Sequence, residues 1–214
     1  MATYLAEVAK ASVCILDADP NQPIYDWKTG GQTSSTVHVI GGIRQETIMK
    51  EIGKAAASYQ FVFVDLEGTA SLLLTRAVAF ADLVIVPMQP SAVDGRQAAR
   101  AVQTVEEEEA LMRANNPKRR LPYRILLTRT GAVGAPTSSS QRRLEEELEA
   151  NGILRFQNTL AERQPYKALF EQRLTLHEMG SLKVGNLDAA IKNAGQVCNE
   201  LVSIVQSINQ REVA

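Results

Sequence analysis

The sequence predicts an α/β protein with a three-layer α/β/α arrangement, in which helices cover both faces of a mainly parallel sheet. Three short runs, residues 13–16, 61–64 and 83–86, are apolar throughout, as strands of a buried parallel sheet are. Segments with apolar residues at helical spacing separate these runs. Because this alternation is typical of parallel βαβ units, we expect a single domain over residues 1–214.

The first half of the chain contains three predicted strands and three predicted helices. The strands are residues 13–16, 37–40 and 61–64, and the helices are residues 1–11, 44–59 and 69–81. Ile48 and Ile52 lie at helical spacing in the second helix. Residues 21–35 are polar and contain Gly30 and Gly31, so we predict a loop there.

The second half continues the pattern, and polar residues mark several boundaries. The strands are residues 83–86, 124–127 and 153–156, and the helices are residues 91–115, 138–152 and 186–208. Pro87 is expected to end its strand. Ser91 with Asp94, and Ser138 with Gln141, have the spacing that caps a helix at its start. Residues 131–140 and the segment up to residue 163 are predicted loops.

Composition excludes several classes of function. The formal net charge is -1, so no overall basic field attracts nucleic acid, and any DNA contact needs a local patch. The two cysteines are far apart in sequence, which favours buried free thiols in a reducing compartment. No apolar run reaches the ~18 residues of a membrane span, and residues 1–10 do not resemble a signal peptide. We therefore expect a cytoplasmic protein without membrane attachment.

Carboxylates follow two of the buried strands. Asp17 and Asp19 end the first, Asp65 ends the strand at residues 61–64, and Gly68 follows three residues later. Ligands of parallel sheets bind at this edge. Asp65 suits Mg²⁺, which prefers oxygen ligands, and Gly68 lets a backbone N–H approach a phosphate. Asp19 is placed to orient an attacking water, with Asp17 supporting the metal or the loop. The sequence predicts a nucleotide-triphosphate site.

Four stretches of the chain resemble the ParA/MinD family of deviant-Walker ATPases. They are ILDADPNQP, FVFVDLEGTAS, ADLVIVPMQPSAVDGRQAARAV and LAERQPYKALFEQRLTLHEM. The resemblance implies a P-loop NTPase-like fold, ATP and Mg²⁺ as cofactors, and a homodimer. It also implies plasmid or chromosome partition, or cargo positioning, on nonspecific DNA with a ParB-like or other cargo protein.

The same resemblance implies roles for individual residues. Asp19 corresponds to the water-positioning carboxylate, and Asp65 to the Mg²⁺ partner. Thr128, Arg129 and Pro165 lie where the family wraps its adenine, although Arg129 is equally well a surface residue at a strand end.

The phosphate-binding sequence G-x-x-x-x-G-K-[ST] does not occur in the chain. The family has this loop and its strand just before the position of Met1, so we expect the first strand and P-loop to be absent and the ATPase to be inactive as it stands. A truncated start is favoured over a natural P-loop-free protein. The alternative is a degenerate relative that acts as a non-catalytic protein-binding module. A third class, a small-molecule ligase or metallocluster carrier, lacks support because the chain has no Cys-x-x-Cys pair.

Other conspicuous residues have ordinary explanations. The run of four glutamates at residues 106–109 is expected to be a solvated helix face, because adjacent residues on a helix do not share a face. Trp27 is expected to pack on the core. Arg163, Lys167 and Arg173 are either DNA contacts or plain surface residues.

Overall fold

The computed structural model describes residues 1–67, 71–132, 134 and 136–213, with side chains as far as residue 210. The strands are β1 (Val13–Asp17), β2 (His38–Ile40), β3 (Phe61–Asp65), β4 (Val84–Met88), β5 (Tyr123–Thr130) and β6 (Leu160–Ala161). The helices are α1 (Ala2–Glu7), α2 (Pro23–Thr29), α3 (Ile48–Ala56), α4 (Leu72–Val78), α5 (Ala92–Asn115), α6 (Ser139–Ala150), α7 (Gln164–Gln172) and α8 (Leu187–Val213). A 3₁₀ turn, Glu178–Ser181, precedes α8.

The chain forms two compact units, and each contains one sheet. The first unit is Met1–Phe80 with Arg163–Gly195, and the second is Ala81–Glu162 with Gln196–Ala214. The strand orders are β2-β1-β3 in the first unit and β4-β5-β6 in the second, and the strand pairs are parallel. The α/β class with parallel strands is therefore confirmed, and the single domain stays a prediction.

The core of the first unit lies around β1, its middle strand. All five residues of β1 are buried, because β2 and β3 flank it and helices cover it. Leu16 and Cys14 pack with Ile48 and Ile52 of α3 in one apolar cluster. Burying a side chain of this size contributes about 1.5–3 kcal/mol, so this cluster fixes the strand whose carboxyl end presents the aspartates.

The second unit covers one face of its sheet with two helices. Ala98 and Val102 of α5 and Leu148 of α6 belong to the same buried cluster as Ile125 and Leu127 of β5. α5 and α6 therefore pack on the same face of this sheet, as right-handed crossovers from β4 to β5 to β6 require.

One predicted loop contains a helix, and one strand extends beyond its predicted end. The predicted loop at residues 21–35 contains α2, whose first N–H groups are capped by the carboxylate of Asp17 rather than by a neighbouring residue.

The strand that was expected to end at Pro87 is longer, because β4 continues through Pro87 to Met88. The N–H of Val84 points toward β5, where it donates to Pro122 O over 2.9 Å. By alternation the missing N–H of Pro87 lies on the opposite edge, where proline is tolerated.

The predicted strand at residues 153–156 is also wrong. Only an isolated bridge between Ile125 and Arg155 forms there, and β6 follows later. The chain leaves β5 because the carboxylate of Glu200 accepts the N–H groups of Gln157 and Asn158 over 2.6 and 2.8 Å. These acceptors replace the ladder partners that a continuing strand would need.

Several helix boundaries differ from those predicted. The helices expected at residues 1–11, 44–59 and 69–81 are shorter, α7 was not predicted, and the last helix extends to residue 213. The predicted caps are confirmed: Ser91 Oγ accepts from Asp94 N over 3.1 Å and Ser138 Oγ from Gln141 N over 3.2 Å.

The two cysteines are free and buried, as predicted. Burial raises the pKa of Cys14 to about 11, which leaves its thiol unreactive at neutral pH. No helix in the described part of the chain has the length and apolar character needed to cross a membrane.

Candidate functional site

The three predicted aspartates meet at the carboxyl ends of β1 and β3. Asp17 and Asp65 are register partners on the two strands, so their backbones lie about 4.8 Å apart. The N–H of Ala18 donates to Asp65 O over 2.9 Å, which ties the loop after β1 to the end of β3. Asp19 follows on that loop. The strand register thus brings the three carboxylates to one edge of the first unit's sheet.

Asp17 is buried, and both of its carboxylate oxygens accept backbone hydrogen bonds. Oδ2 accepts from Ile24 N over 2.9 Å and from Tyr25 N over 2.8 Å, while Oδ1 accepts from Asp19 N over 3.3 Å. A negative charge at the start of α2 also matches the helix dipole. Of the two supporting roles predicted for Asp17, the contacts favour holding the loop; the catalytic assignment itself stays a prediction.

Asp19 keeps one oxygen available. Its Oδ1 accepts from Asn21 N over 2.7 Å, which closes a tight turn after β1. Within the described residues, no other hydrogen bond to the Asp19 carboxylate is formed, and the side chain is only half-buried. Oδ2 can therefore accept a hydrogen bond from a water molecule at the edge of the sheet.

The folded structure disfavours the charged form of the Asp65 carboxyl group. Burial raises its pKa, and the nearby negative charges of Asp17 and Asp19 raise the pKa further. A bound cation would relieve this repulsion. Among the described residues no group of three or more His, Cys, Asp or Glu could hold a metal ion. Mg²⁺ in phosphate sites takes only one or two carboxylates and completes its shell with phosphates and water, so Asp65 fits such an ion.

A shallow cleft opens beside the aspartates in the first unit. Its volume is about 300 Å³, at the lower end for small-molecule pockets. The lining comes from the loop after β1, the loop after β3 with the start of α4, and the segment before α3: Ala18, Pro20, Leu66, Glu67, Ser71, Leu73, Arg44, Gln45 and Glu46. No sequence motif indicated Arg44, Gln45 or Glu46, because only the fold brings these residues near the strand ends.

The remaining predicted site residues are distributed over both units. Thr128 and Arg129 belong to the second unit; Thr128 Oγ1 donates to Met88 O over 3.3 Å, and Arg129 is exposed with φ 51°. Pro165 belongs to the first unit and is buried in the first turn of α7. Gly68 lies outside the described residues. The adenine and phosphate contacts assigned to these residues stay predictions.

One carboxylate that the sequence did not indicate holds a loop next to α2. Glu178 accepts from Thr33 Oγ1 over 2.7 Å, from Ser34 N and Oγ over 2.5 and 2.6 Å, and from Thr175 N over 2.7 Å. We call this set of contacts the Glu178 latch. Burial by itself raises the pKa of Glu178, but the donors on Ser34, Thr175 and Thr33 outweigh it and lower the pKa to about 2.

Comparison with known proteins shows which protein family the chain belongs to. The family model described as VirC1 protein matches residues 1–210. The chain belongs to the VirC1 family. The Protein ParA of Rhizobium radiobacter is 34% identical over 182 residues, which cover 85% of this chain and 78% of that protein. This member of the VirC1 family is therefore also a relative of the ParA/MinD ATPases, as the sequence motifs indicated.

Solved structures show the same fold at low identity. McdA of Cyanothece superposes with a TM-score of 0.69 at 15% identity, covering 94% of this chain and 92% of that one. A plasmid partition protein of Borrelia burgdorferi bound to AMPPNP gives 0.65 at 14% identity, with 94% and 90% coverage. MinD with MinC of Aquifex aeolicus gives 0.60 at 16% identity, with 92% and 87% coverage. The P-loop NTPase-like α/β fold is confirmed.

Proposed function

We propose that this member of the VirC1 family works as a ParA-like ATPase. It binds ATP with Mg²⁺, forms a homodimer in the ATP state, and acts in the cytoplasm in plasmid or chromosome partition, or in positioning another cargo on DNA. A ParB-like or other cargo protein is its partner. The observation that supports this most strongly is the convergence of Asp19 and Asp65 on one sheet edge in a chain of this family.

Each residue of the edge has a distinct part in this proposal. Asp65 helps to hold Mg²⁺, and the ion when bound neutralises charge on the phosphates. Asp17 fixes the loop through its bonds to the start of α2. The free oxygen of Asp19 orients the attacking water, a positioning task that carries much of phosphoryl transfer. Thr128, Arg129 and Pro165 are proposed to surround the adenine.

The test is ATP turnover by protein purified from its native source, with Asp19→Ala compared with the wild type. We expect turnover to fall by about tenfold or more, which is at least ~1.4 kcal/mol of transition-state stabilisation. Binding of a fluorescent ATP analogue should persist, because Asp19 acts on water rather than on the nucleotide. Asp26→Ala removes the same charge from an exposed position of α2 and should turn over normally. Undiminished hydrolysis by Asp19→Ala would refute the assignment.

A second candidate is a non-catalytic protein-binding module. One observation favours it, namely that no G-x-x-x-x-G-K-[ST] sequence occurs among the 214 residues. Calorimetric titration of the wild type with ATP and Mg²⁺ separates the two candidates. Saturable binding supports the ATPase. Absence of binding, together with a defined complex with a ParA-like ATPase subunit in size-exclusion chromatography, supports the module.

A further inference from the structure

The loop after β1 ends at a residue whose backbone is unusual for its type. Gln22 adopts φ 48° and ψ 47°, the left-handed conformation, which is populated chiefly by glycine, asparagine and aspartate. Gln22 is also the N-cap residue of α2, but its side chain forms no cap there, because Asp17 accepts hydrogen bonds from the first N–H groups instead. Neither the backbone of the turn nor the start of the helix therefore explains a glutamine at this position.

The Gln22 side chain reaches the segment that follows β2. Its Oε1 accepts a hydrogen bond from Gly42 N over 2.6 Å. Gly41 leaves room for this contact, because a Cβ atom at Gly41 would lie 2.6 Å from Gln22 Oε1 and 2.5 Å from Tyr25 Cγ. Gly42 has φ 67°, a conformation that favours glycine. The two glycines thus allow the side chains of Gln22 and Tyr25 to pack directly on the backbone after β2.

Gln22 also closes the turn that carries Asp19. Gln22 N donates to Asp19 O over 3.0 Å, and Asn21 N donates to Asp19 Oδ1 over 2.7 Å. The N–H of Gln22 therefore holds the Asp19 turn, while its side chain is fixed at Gly42. Through these two contacts Gln22 sets the position of the turn relative to the end of β2.

The contact between Gln22 and Gly42 joins two walls of the cleft. Ala18 and Pro20 line the cleft from the loop after β1, and residues 44–46 line it from the segment before α3. A carboxylate that orients a water molecule has to be held to within about 0.5 Å of its productive position. A hydrogen bond that connects the two walls restricts their relative movement and so restricts the position of the carboxylate between them.

We propose that Gln22 is a positioning residue for ATP hydrolysis, which fixes the Asp19 carboxylate relative to the cleft through its hydrogen bond to Gly42. We call this contact the Gln22 clamp. The proposal rests on the proposed function, because it takes Asp19 as the group that orients the attacking water. In this role Gln22 acts through Asp19 and contacts neither the water nor the phosphates. Loss of the clamp therefore lowers the rate of the chemical step and leaves nucleotide binding intact.

The first test compares ATP turnover by wild type, Gln22→Asn and Gln22→Glu, each purified from the native source. Asparagine suits the left-handed backbone better than glutamine, but its side chain is one methylene shorter and does not reach Gly42. Glutamate has the length of glutamine and an oxygen that accepts from Gly42 N. We expect Gln22→Asn to lower kcat about tenfold with KM within about twofold of the wild-type value. Gln22→Glu should keep most of the wild-type kcat.

The stability of the variants separates positioning from folding. Gln22→Asn should unfold at the same urea concentration as the wild type or a higher one, because relief of backbone strain offsets the lost hydrogen bond. Gln32→Ala removes an amide from an exposed position of the loop after α2 and should leave kcat unchanged. A normal kcat for Gln22→Asn would overturn the clamp, and so would a kcat for Gln22→Glu as low as that of Gln22→Asn.

A second measurement does not depend on ATP hydrolysis. Backbone order parameters from ¹⁵N relaxation report on the Asp19 turn in the protein without nucleotide. We expect the amide of Asn21 to have a value near ~0.85 in the wild type and below ~0.6 in Gln22→Asn. Unchanged order in Gln22→Asn would overturn the clamp and leave the proposed function standing. A wild type without ATP turnover would instead refute the proposed function, and the positioning role of Gln22 with it.

Discussion

Replacing Glu178 by glutamine should loosen the first unit without changing the size of the side chain. The carboxylate accepts four hydrogen bonds from Thr33, Ser34 and Thr175. Glutamine offers one acceptor oxygen and turns an NH₂ group toward donors that need an acceptor. Of these donors, only the N–H of Thr175 belongs to a fully buried residue, and leaving it without a partner costs about 1–3 kcal/mol. The variant therefore loses more than the hydrogen bonds of an exposed carboxylate.

The size of the expected stability loss follows from the pKa of Glu178. A fall from 4.5 to about 2 corresponds to ~3.4 kcal/mol of preference for the charged form. The carboxylate is only partly buried, so solvent screening reduces the expected contribution to about 2–3 kcal/mol. Because the pKa is lower in the folded state, this stability is fully present above the unfolded value near 4.5 and is lost as the pH falls toward 2.

The assay is urea unfolding followed by the fluorescence of Trp27, the single tryptophan of the chain. Trp27 is buried in the first unit, and its Nε1 donates to Leu174 O over 3.4 Å, near the latch. We expect Glu178→Gln to lower the free energy of unfolding by about 2–3 kcal/mol at pH 7, with more than half of the difference gone at about pH 3. Glu171→Gln, at an exposed position of α7, is the control. A Glu178→Gln effect under ~0.5 kcal/mol at pH 7, or one that does not depend on pH, would refute the reasoning.

Three further substitutions test individual contacts. Asp17→Ala should lower the free energy of unfolding by about 2–4 kcal/mol, because two N–H groups of α2 lose their acceptor; tryptophan fluorescence in urea measures this, and an effect no larger than that of Asp26→Ala would contradict it. Asp65→Asn should raise the free energy of unfolding by about 1 kcal/mol at neutral pH. The pKa of Asp65 is raised in the folded state, so its negative charge lowers the stability of the wild type at neutral pH. The advantage of the Asn variant should therefore vanish in acid, where Asp65 is protonated. Calorimetry of both proteins at neutral and acid pH tests this, and an advantage that persists in acid would contradict it. Ser138→Ala should cost about 1 kcal/mol by removing the cap of α6, measured by circular dichroism with Ser140→Ala as the neutral comparison.

The features predicted correctly are those that depend on local chemistry. Apolar runs such as residues 61–64 favour a strand of a parallel sheet, and β1 and β3 form where these runs predict them. The positions of Asp17 and Asp65 at the strand ends follow from the ends of the two runs. The helix caps at Ser91 and Ser138 use residues three positions apart, so a window of a few residues contains the whole signal.

The features that were missed depend on partners distant in sequence. α2 starts without a side-chain cap from its own N-cap residue, Gln22, and takes its acceptor from Asp17 on β1 instead. Glu178 contacts residues about 145 positions away, and Glu200 ends the pairing of residues 157–158 from more than 40 positions away. No local pattern contains these pairs, because the tertiary fold alone makes them neighbours.

The way the two units share the chain has a consequence for synthesis. The first unit needs Arg163–Gly195 in addition to Met1–Phe80, and α8 begins in one unit and ends in the other. At a typical synthesis rate, the 82 residues between these segments, 81–162, take about 4–16 s to emerge. During that interval β3 and the latch partners Thr33 and Ser34 are exposed without Glu178. The nascent chain should therefore be a substrate for chaperones until Arg163–Gly195 has been made.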